Sequence, residues 1–288
     1  MSDPLVCVVI LSWNQKDMTL ECVKSFLAVD YPNARLLLVD NGSTDGTSGA
    51  VAQKYPQVQV VQSDRNLGIA GGYNLGIDAA LDLGADYVLV TNNDVDVAPD
   101  MVTAAVSVAE ADRSIGMVMP KIYHYYGDRS RLWCAGARWR SLPPSVKMIG
   151  VGARDAEWQS IQELEFAPSC TLLIRAAVLG AIGGFDEGYF FYNDDWDFSV
   201  RLRKAGYRIV FVPESHVWHK VSVSTQKSEK PARWWKTLGT STVRFYRKHS
   251  TPLALWIYVV WFVIRETIKL KPARIPPFIE GVRESISG

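Results

Sequence analysis

Two carboxylates, Asp94 and Asp96, follow the short apolar run Tyr87–Val90 and a polar turn at 91–93. If the run is a buried strand that continues past the turn, its alternation points both carboxylates to the same side. Oxygen ligands suit hard divalent cations, and Mg²⁺ usually takes one or two protein carboxylates together with substrate phosphates. The pattern therefore indicates a Mg²⁺ or Mn²⁺ site for a phosphate-bearing ligand. The alternative is a solvated strand end with two turn-forming aspartates.

A second group of carboxylates, Asp194, Asp195 and Asp197, precedes the predicted helix 198–205. Carboxylates in the first turn of a helix are stabilised by the helix dipole, which accounts for them without any chemistry. The functional alternative is a general base that takes a proton from an acceptor hydroxyl. His219, in the sequence Trp-His-Lys, is by itself either a structural histidine or a ligand.

The elements that would position these groups alternate between strand and helix. We predict strands at 5–11, 35–39, 58–62 and 87–90, and helices at 17–28, 47–54 and 69–83. This spacing is typical of βαβ units, so we expect an α/β fold with a doubly wound sheet. Ligands bind outside the carboxyl ends of the strands in such sheets. Polar clusters follow three of the predicted strands, at 12–14, 40–45 and 92–96, which favours a binding site over solvated turns.

Three glycines, Gly68, Gly71 and Gly72, lie near the start of the predicted helix 69–83, where backbone N–H groups could contact phosphate. The first strand is not followed by G-x-G-x-x-G, and the chain has no Walker A sequence. These absences argue against Rossmann-type dinucleotide binding and P-loop chemistry. Further along, we predict loops or a small hairpin at 131–165, a strand at 166–174, a helix at 175–182 and a strand at 209–212.

The composition narrows the class of protein. The 288 residues are 48 % hydrophobic and 21 % charged, which suits one large globular domain with room for an appendage. The 4 cysteines lie far apart without a C-x-x-C pair, so neither a zinc site nor a disulfide framework is indicated. The first residues lack a basic segment followed by a long apolar run, so we expect no signal peptide and a cytoplasmic protein.

The net charge of +1 conceals an acidic body and a basic tail: residues 227–288 hold 12 Lys/Arg against 4 Asp/Glu, and residues 1–226 hold 19 against 26. The apolar run 253–264 would extend roughly 18 Å as a helix, too short for the ~30 Å core of a bilayer. Its Trp and Tyr residues and basic borders fit an interfacial helix, peripheral on the inner face of the plasma membrane. The alternatives are packing on the rest of the chain or in a homodimer, and nucleic-acid binding, which we do not expect.

Seven motifs follow one another in the chain: SWN, VDNGSTDGT, RNLGIAGGYNLGI, NNDVDVAPD, GGFDE, FFYNDDWDFSVRLRKAGY and VPESHVWHK. Over roughly residues 5–222 they resemble glycosyltransferase family 2, in particular its rhamnosyltransferase-like branch. The resemblance implies a GT-A fold with a mixed sheet, a dTDP-, UDP- or GDP-linked sugar donor, a divalent metal and inversion at the anomeric carbon. We therefore expect a catalytic domain at 1–226, with a nucleotide-sugar half at about 1–100 and an acceptor half at about 101–226. Residues 227–288 would form a helical, basic and aromatic appendage.

The resemblance also implies roles for single residues. Asp195 falls where the family has its catalytic base, after Asp194, which replaces the usual Glu. Asp94, Asp96 and His219 match the metal site, but Asn92 stands at the first position of the family's DXD pattern, so Asp94 must carry the binding. The residues expected to contact substrate are Ser12, Trp13, Asn14, Asp40, Arg65, Gly71, Gly72, Asn74, Asn93, Asp194, Trp196 and Asp197.

The implied enzyme transfers a sugar to a hydroxyl of a cell-surface polysaccharide or lipid-linked acceptor, and the branch suggests L-rhamnose. The alternative is a catalytically inactive sugar-nucleotide-binding or scaffold protein of the same fold.

Overall fold

A computed structural model describes residues 3–220 and 230–287. The first part of the chain forms parallel strands in the order β3-β2-β1-β4, joined by helices. These elements are β1 (Val6–Ser12), α1 (Lys16–Phe26), β2 (Ala34–Asp40), α2 (Thr47–Lys54), β3 (Gln59–Gln62), α3 (Gly68–Asp82) and β4 (Tyr87–Asn92). Because β1 lies between β2 and β4 and is buried along its whole length, its continuous apolar sequence packs on both faces of the sheet.

The second part of the chain extends the same sheet. Its elements are β5 (Val95–Val97), α4 (Met101–Ala111), β6 (Ile115–His124), β7 (Leu132–Cys134), β8 (Ala137–Ser141), β9 (Pro144–Met148), β10 (Gln162–Leu164), β11 (Thr171–Arg175), α5 (Ala176–Ile182), α6 (Asp194–Lys204) and β12 (Arg208–His219). Strand β11 runs antiparallel between β4 and β6, and β12 runs parallel to β6. The sheet is therefore mixed, as predicted, while β8 and β9 form a separate hairpin.

Three helices, α7 (Ala232–His249), α8 (Pro252–Ile268) and α9 (Ile275–Ser287), form the appendage. A side chain at Gly239 would overlap the carbonyl of Phe278, so this glycine allows α7 and α9 to pack closely. Phe262 of α8 stacks on Phe278 of α9, with ring centroids 3.8 Å apart. These residues belong to a hydrophobic cluster that is separate from the core around the large sheet. This cluster also includes residues of the β8–β9 hairpin. The inner face of the appendage is thus packed on the protein. Within 3–220 and 230–287, no helix is both long and apolar enough to span a membrane.

Several elements differ from the sequence predictions. The region 131–165 contains the hairpin that was one of two predicted alternatives, together with β7 and β10. Strand β12 continues to His219 instead of ending at 212, because a register shift between Val212 and His216 accommodates Pro213. This extra length carries His219 to the end of the sheet where β5 pairs with it.

Candidate active site

The carboxyl ends of β1 and β2 hold buried polar side chains. Ser12 and Asp40 are register partners at the ends of these strands, and both are almost fully buried. The Asp40 carboxylate accepts a hydrogen bond from the Ser43 amide at 2.9 Å. The Ser12 hydroxyl lies 2.8 Å from the Thr19 hydroxyl, and the Asn93 side-chain amide donates to Thr19 at 2.8 Å. Asn93 therefore uses its amide in a buried network, and its predicted contact with substrate stays a prediction.

Trp13 and Asn14 form the turn that follows β1. Asn14 has a φ of 57°, and its side-chain oxygen accepts from the Thr44 amide at 3.0 Å, which ties this turn to the loop after β2. The Trp13 indole remains 47 % exposed. An exposed aromatic ring next to a buried carboxylate is a suitable surface for a planar base that also has hydrogen-bond donors.

The start of α3 differs from the expectation of a phosphate cradle. The amides of Leu67, Gly68 and Ile69 already donate to the Asn41 side chain, the Asn66 side chain and the Phe190 carbonyl, respectively. A side chain at Gly68 would overlap Phe190, so the glycine lets the loop before α6 pack directly on this turn. These three amides therefore stabilise the loop and are not available to a phosphate.

Four residues that were predicted to contact the substrate lie in α3 or in the loop before it. Gly71 and Gly72 lie inside the helix, and a side chain at Gly72 would overlap Leu11 of β1. Asn74 exchanges hydrogen bonds with the backbone of Phe185, at 2.8 Å each. Arg65 is exposed in the loop before α3. The glycines and Asn74 serve packing here, and substrate contacts for all four stay predictions.

Asp94 and His219 come together at the end of the sheet. Asp94 lies in the bend between β4 and β5, and its Oδ1 is 3.2 Å from His219 Nε2. Both side chains are only 9 % exposed. Burial lowers the pKa of His219, but Cys170 and Asp94 beside the ring more than offset this effect and raise the pKa to about 10.

Asp96 faces a different partner. Because Asp94 lies in the bend before β5 and Asp96 lies within the strand, strand alternation does not align the two carboxylates, contrary to the prediction. Asp96 lies 3.6 Å from Arg129, whose guanidinium stacks on Trp218. Within the described ranges, no group of three or more His, Cys, Asp or Glu side chains is placed to hold a metal ion.

The carboxylate oxygen of Asp94 and the imidazole nitrogen of His219 nevertheless fit one divalent cation. They are two donors already in contact, in a site that excludes most solvent. Two protein ligands are enough where substrate phosphates supply the others. Asp94 and His219 are therefore the residues that would hold Mg²⁺ or Mn²⁺, and Asp96 as a ligand stays a prediction.

Asp194 and Asp195 begin α6, after two residues with left-handed backbone, Tyr192 and Asn193. The two residues are adjacent, and Asp194 is almost fully buried whereas Asp195 is half-buried. Burial, followed by the charge of Asp197, raises the pKa of Asp194 to about 7. Burial and the neighbouring Asp194 raise the pKa of Asp195 well above its usual range. A carboxylate in such surroundings is a stronger base than one in water.

The segment Ser169–Cys170 brings this pair next to Asp94 and His219. The Ser169 amide donates to Asp195 Oδ2 at 3.4 Å. The Tyr73 hydroxyl lies 2.8 Å from both the Ser169 carbonyl and Asn92 Oδ1, at the end of β4. Cys170, the next residue, adjoins His219. The carboxylates of α6 and the Asp94–His219 pair are therefore parts of one site.

Two organising residues were not predicted from the sequence. Tyr73 joins α3, β4 and the segment before β11, and Asn41 holds the turn before α3. A buried tyrosine in a helix is indistinguishable in sequence from a core residue. Asn41 lies within the polar cluster 40–45 that was predicted to follow β2, so its position was the available signal.

Trp196 and Asp197 lie on the side of α6 that faces the appendage. Trp196 packs edge-on against Phe166, with ring centroids 5.9 Å apart. Asp197 is fully buried and contacts Arg201 at 2.7 Å, Lys248 at 2.5 Å and His249 at 2.7 Å. Burial opposes ionisation of Asp197, but hydrogen bonds from these three residues lower its pKa below its usual value. Trp196 therefore packs α6 on Phe166, and Asp197 connects α6 to the appendage. Their predicted contacts with substrate stay predictions.

Comparison with known proteins gives a consistent result. Residues 7–179 match the family model described as "Glycosyl transferase family 2". The sequence is 33% identical over 231 residues to N-acetylglucosaminyl-diphospho-decaprenol L-rhamnosyltransferase of Mycobacterium tuberculosis, and the match covers 69% of this chain and 70% of that protein.

Solved structures of two transferases have the same fold. The mannosyltransferase PcManGT from Pyrobaculum calidifontis, in complex with GDP-Man and Mn²⁺, has a TM-score of 0.60 at 18% identity and aligns with 100% of this chain and 76% of its own. GalNAc-T7 with UDP, GalNAc and Mn²⁺ has a TM-score of 0.65 at 15% identity, over 84% of this chain and 50% of its own. These similarities confirm the predicted GT-A fold.

Proposed function

Because this chain belongs to glycosyl transferase family 2, we propose that it is an inverting enzyme that transfers L-rhamnose from a nucleoside-diphosphate donor to a hydroxyl of a lipid-linked acceptor. The choice of sugar and acceptor is supported by the name of the mycobacterial relative, which specifies an L-rhamnosyl group and an N-acetylglucosaminyl-diphospho-decaprenol acceptor. Such an acceptor resides in a membrane, so we further propose that the enzyme works as a peripheral protein at the inner face of the plasma membrane.

The observation that carries the proposed mechanism is the attachment of Asp195 to the Asp94–His219 site through Ser169. The Asp195 carboxylate is oriented by the amides of Ser169, at 3.4 Å, and Trp196, at 2.9 Å. It takes the proton of the acceptor hydroxyl while the hydroxyl oxygen attacks the anomeric carbon of the donor. The bond from that carbon to the phosphate oxygen breaks on the opposite face, and its electron pair goes to the nucleoside diphosphate. One displacement with one base gives inversion, by the same logic that separates one-step from two-step glycosidases.

Other residues prepare this step. Asp194 raises the pKa of Asp195 and so increases its basicity. Asp40 and Trp13 would bind the base of the nucleotide at the ends of β1 and β2. Asp94 and His219 would hold a divalent cation, which, when bound, acts as a Lewis acid toward the diphosphate leaving group. Because imidazole is a ligand of transition metals, we expect Mn²⁺ to be preferred over Mg²⁺.

A screen of nucleotide sugars tests the proposal. We expect dTDP-L-rhamnose to raise the melting temperature in the presence of Mn²⁺ and to be consumed with a polyprenyl-diphosphate-linked N-acetylglucosamine acceptor. The anomeric configuration of the product, measured by NMR, should be opposite to that of the donor. If UDP- or GDP-linked sugars stabilise the protein and dTDP-L-rhamnose does not, the proposed donor is wrong. If Mn²⁺ and bound nucleotide sugar yield neither transfer nor donor hydrolysis, the inactive scaffold is favoured.

A substitution at Asp94 tests the proposed metal ligands. Asp94→Ala should abolish metal-dependent donor binding and leave the fold intact, because Asp94 lies in a bend and outside the hydrophobic core. Calorimetric titration of UDP or dTDP with and without Mn²⁺ measures the effect. Asp96→Ala is the matched comparison and should be milder, because Asp96 lies beside Arg129. Unchanged metal-dependent affinity in Asp94→Ala would contradict the assignment.

A further inference from the structure

Helix α8 has apolar residues on two opposite faces. Its inner face contributes Leu255, Val259 and Phe262 to the core of the appendage, where each is at most 5 % exposed. Its outer face carries Leu253, Trp256, Val260 and Ile264, which are between 51 % and 69 % exposed. The outer residues are three or four positions apart, so they form one stripe along the helix. This stripe has no packing role comparable to that of the inner face.

The tip of the β8–β9 hairpin extends this stripe. Leu142, between the two strands, is 78 % exposed, and with Pro143 it lines a shallow groove together with Trp256, Val260 and Ile264. We call the stripe and the hairpin tip the α8 outer surface. Ile268, the last residue of α8, and Leu270, just beyond the helix, are 75 % and 87 % exposed and continue its apolar character. A contiguous exposed apolar patch of this kind marks an interaction surface.

The charges around the α8 outer surface are positive. Lys269 and Lys271 are exposed at the end of α8, and the guanidinium of Arg140 on the hairpin lies over the ring of Trp261 of α8, 5.2 Å from its centroid. The single acidic residue between 252 and 274 is Glu266.

Glu266 does not offset these charges at the surface. It is 1 % exposed and is paired internally with Arg265 at 2.7 Å and Arg274 at 3.0 Å. The surface therefore combines an apolar centre that bears a tryptophan with a cationic border.

We propose that the α8 outer surface docks on an anionic lipid bilayer. The apolar stripe would enter the interfacial region, Trp256 would lie at the headgroup level, and the lysines would contact anionic headgroups. A second copy of the chain fits less well, because a two-fold contact through this surface would bring its own lysines and arginines together. The charge pattern thus favours lipid over self-association.

The position of this surface agrees with the proposed acceptor. The appendage packs against α6, which carries Asp195, through contacts of Lys248 and His249 with Asp197. Docking through α8 would therefore attach to the membrane the same helical appendage that packs on α6. The inference rests on the proposed function only in this respect, because lipid binding itself requires neither donor nor acceptor.

Vesicle flotation with the full-length protein tests the proposal. The probe is a vesicle of equal parts phosphatidylglycerol and phosphatidylcholine. The double variant Trp256→Ser/Val260→Ser should lower vesicle partitioning by at least about tenfold, because both side chains would transfer apolar area into the interface. The control variant Val151→Ser/Ile161→Ser removes two apolar side chains of similar exposure, 60 % and 51 %, from another surface and should bind as wild type does. Binding to vesicles of phosphatidylcholine alone should be weaker.

Two further measurements separate the possible outcomes. Thermal melts confirm that the variants fold, which we expect because all four substituted side chains are exposed. Equal vesicle binding by both double variants, or no binding by the wild type, would overturn the proposal. The proposal would also be overturned if sedimentation showed that the wild type is a dimer and that Trp256→Ser/Val260→Ser disrupts this dimer whereas the control variant does not. Transfer to a water-soluble acceptor analogue should persist in this variant. Vesicle binding without transfer to any acceptor would reject the proposed function and leave the docking surface intact.

Discussion

At the scale of single residues, the site depends on two neighbouring carboxylates with different surroundings. Asp195 is half-buried and contacts the Ser169 amide, whereas Asp194 is 3 % exposed and its Oδ2 has no hydrogen-bond partner among the described residues. Two buried carboxylates this close resist simultaneous ionisation, so they titrate as a pair. The more accessible member, Asp195, is the one we propose as the general base.

Asp195→Asn should keep donor affinity near that of wild type and lower turnover by about 10²–10⁴-fold, the range for loss of a general base. Asn preserves the shape and can still accept from the Ser169 amide, but it cannot take the proton of the acceptor. The measurement is kcat with one acceptor, alongside donor binding. Asp194→Asn and Asp197→Asn should have smaller effects on kcat. If the kcat of Asp195→Asn is normal and that of Asp194→Asn is strongly reduced, Asp194 is the general base.

Asp194→Asn should move the acidic limb of the pH–rate profile to lower pH. The base must be ionised, so turnover falls as pH falls through its pKa, and removal of the Asp194 charge lowers the pKa of Asp195. A profile of kcat/KM against pH for wild type and variant measures the shift. An unchanged acidic limb would show that the two carboxylates are not coupled.

The same substitution should stabilise the protein above neutral pH. The folded-state pKa of Asp194, about 7, exceeds the ordinary value near 3.9, so the folded state binds more protons between these limits and loses stability as pH rises through them. Asp194→Asn removes this loss. Its melting temperature at pH 8 should exceed that of wild type by roughly 2–4 °C for each kcal/mol gained, and the difference should vanish near pH 4.

The site was predictable only in part from the sequence. The motifs identified Asp94, Asp195 and His219, and the structure brings these three to one place. The orientation of Asp197 was not predictable, because its partners Lys248 and His249 lie some fifty positions later, in another helix. Spacing along α6 shows which residues share a face but not which face meets the appendage.

At the scale of elements, predictions succeeded where many residues carried the same signal. Strands β1, β2 and β4 are continuous apolar runs ended by turn residues, and α2 matched its predicted bounds of 47–54. The three-residue strand β5 was not predicted as a separate element, because a segment this short gives too little periodic signal to be divided from the strand before it. The end of β12 was missed because Pro213 and Glu214 interrupt its pattern, and the bulge that accommodates them is a tertiary feature.

The two faces of α8 predict opposite effects of the same substitution. Phe262→Ala should lower the free energy of unfolding by about 3–5 kcal/mol, because it removes a fully buried ring stacked on Phe278. Val260→Ala, on the outer face of the same helix, should change it by less than about 0.5 kcal/mol. Urea denaturation of the two variants measures both values. Similar losses would mean that the outer face is also packed.

At the scale of the whole molecule, the appendage and the catalytic body are joined by ionic contacts as well as by apolar packing. Asp197 of α6 meets Lys248 and His249 of α7, and Arg244 contacts Asp186 in the loop before α6. The apolar cluster of the appendage includes Phe166 from the catalytic body. Deletion of the tail would therefore expose core residues, and for this reason point substitutions are the better test of membrane docking.

Asp197→Asn should destabilise the protein by about 3 kcal/mol, because it removes a fully buried charge that pairs with Arg201 and Lys248 and accepts a hydrogen bond from His249. Asp112→Asn is the matched control: its pair with Arg208 is exposed and screened by solvent, so the loss of stability should be much smaller. The lowered pKa of Asp197 means that its contribution is complete above about pH 4 and is lost as pH falls below that. When the pH is lowered below 4, the melting temperature of Asp197→Asn should therefore fall less steeply than that of wild type.

The antiparallel strand β11 also affects how the chain is made. The parallel strands β1 to β4 are complete once residue 92 has been synthesised, but the open edge of β4 is covered only by residues 171–175. At about 5–20 residues per second, the intervening chain takes roughly 4–16 seconds to synthesise. For that time a nascent chain presents an apolar, unpaired edge, which is a template for aggregation. Ribosome-bound chains that stop between β4 and β11 should therefore depend on chaperones, and chains extended past β11 should depend on them less.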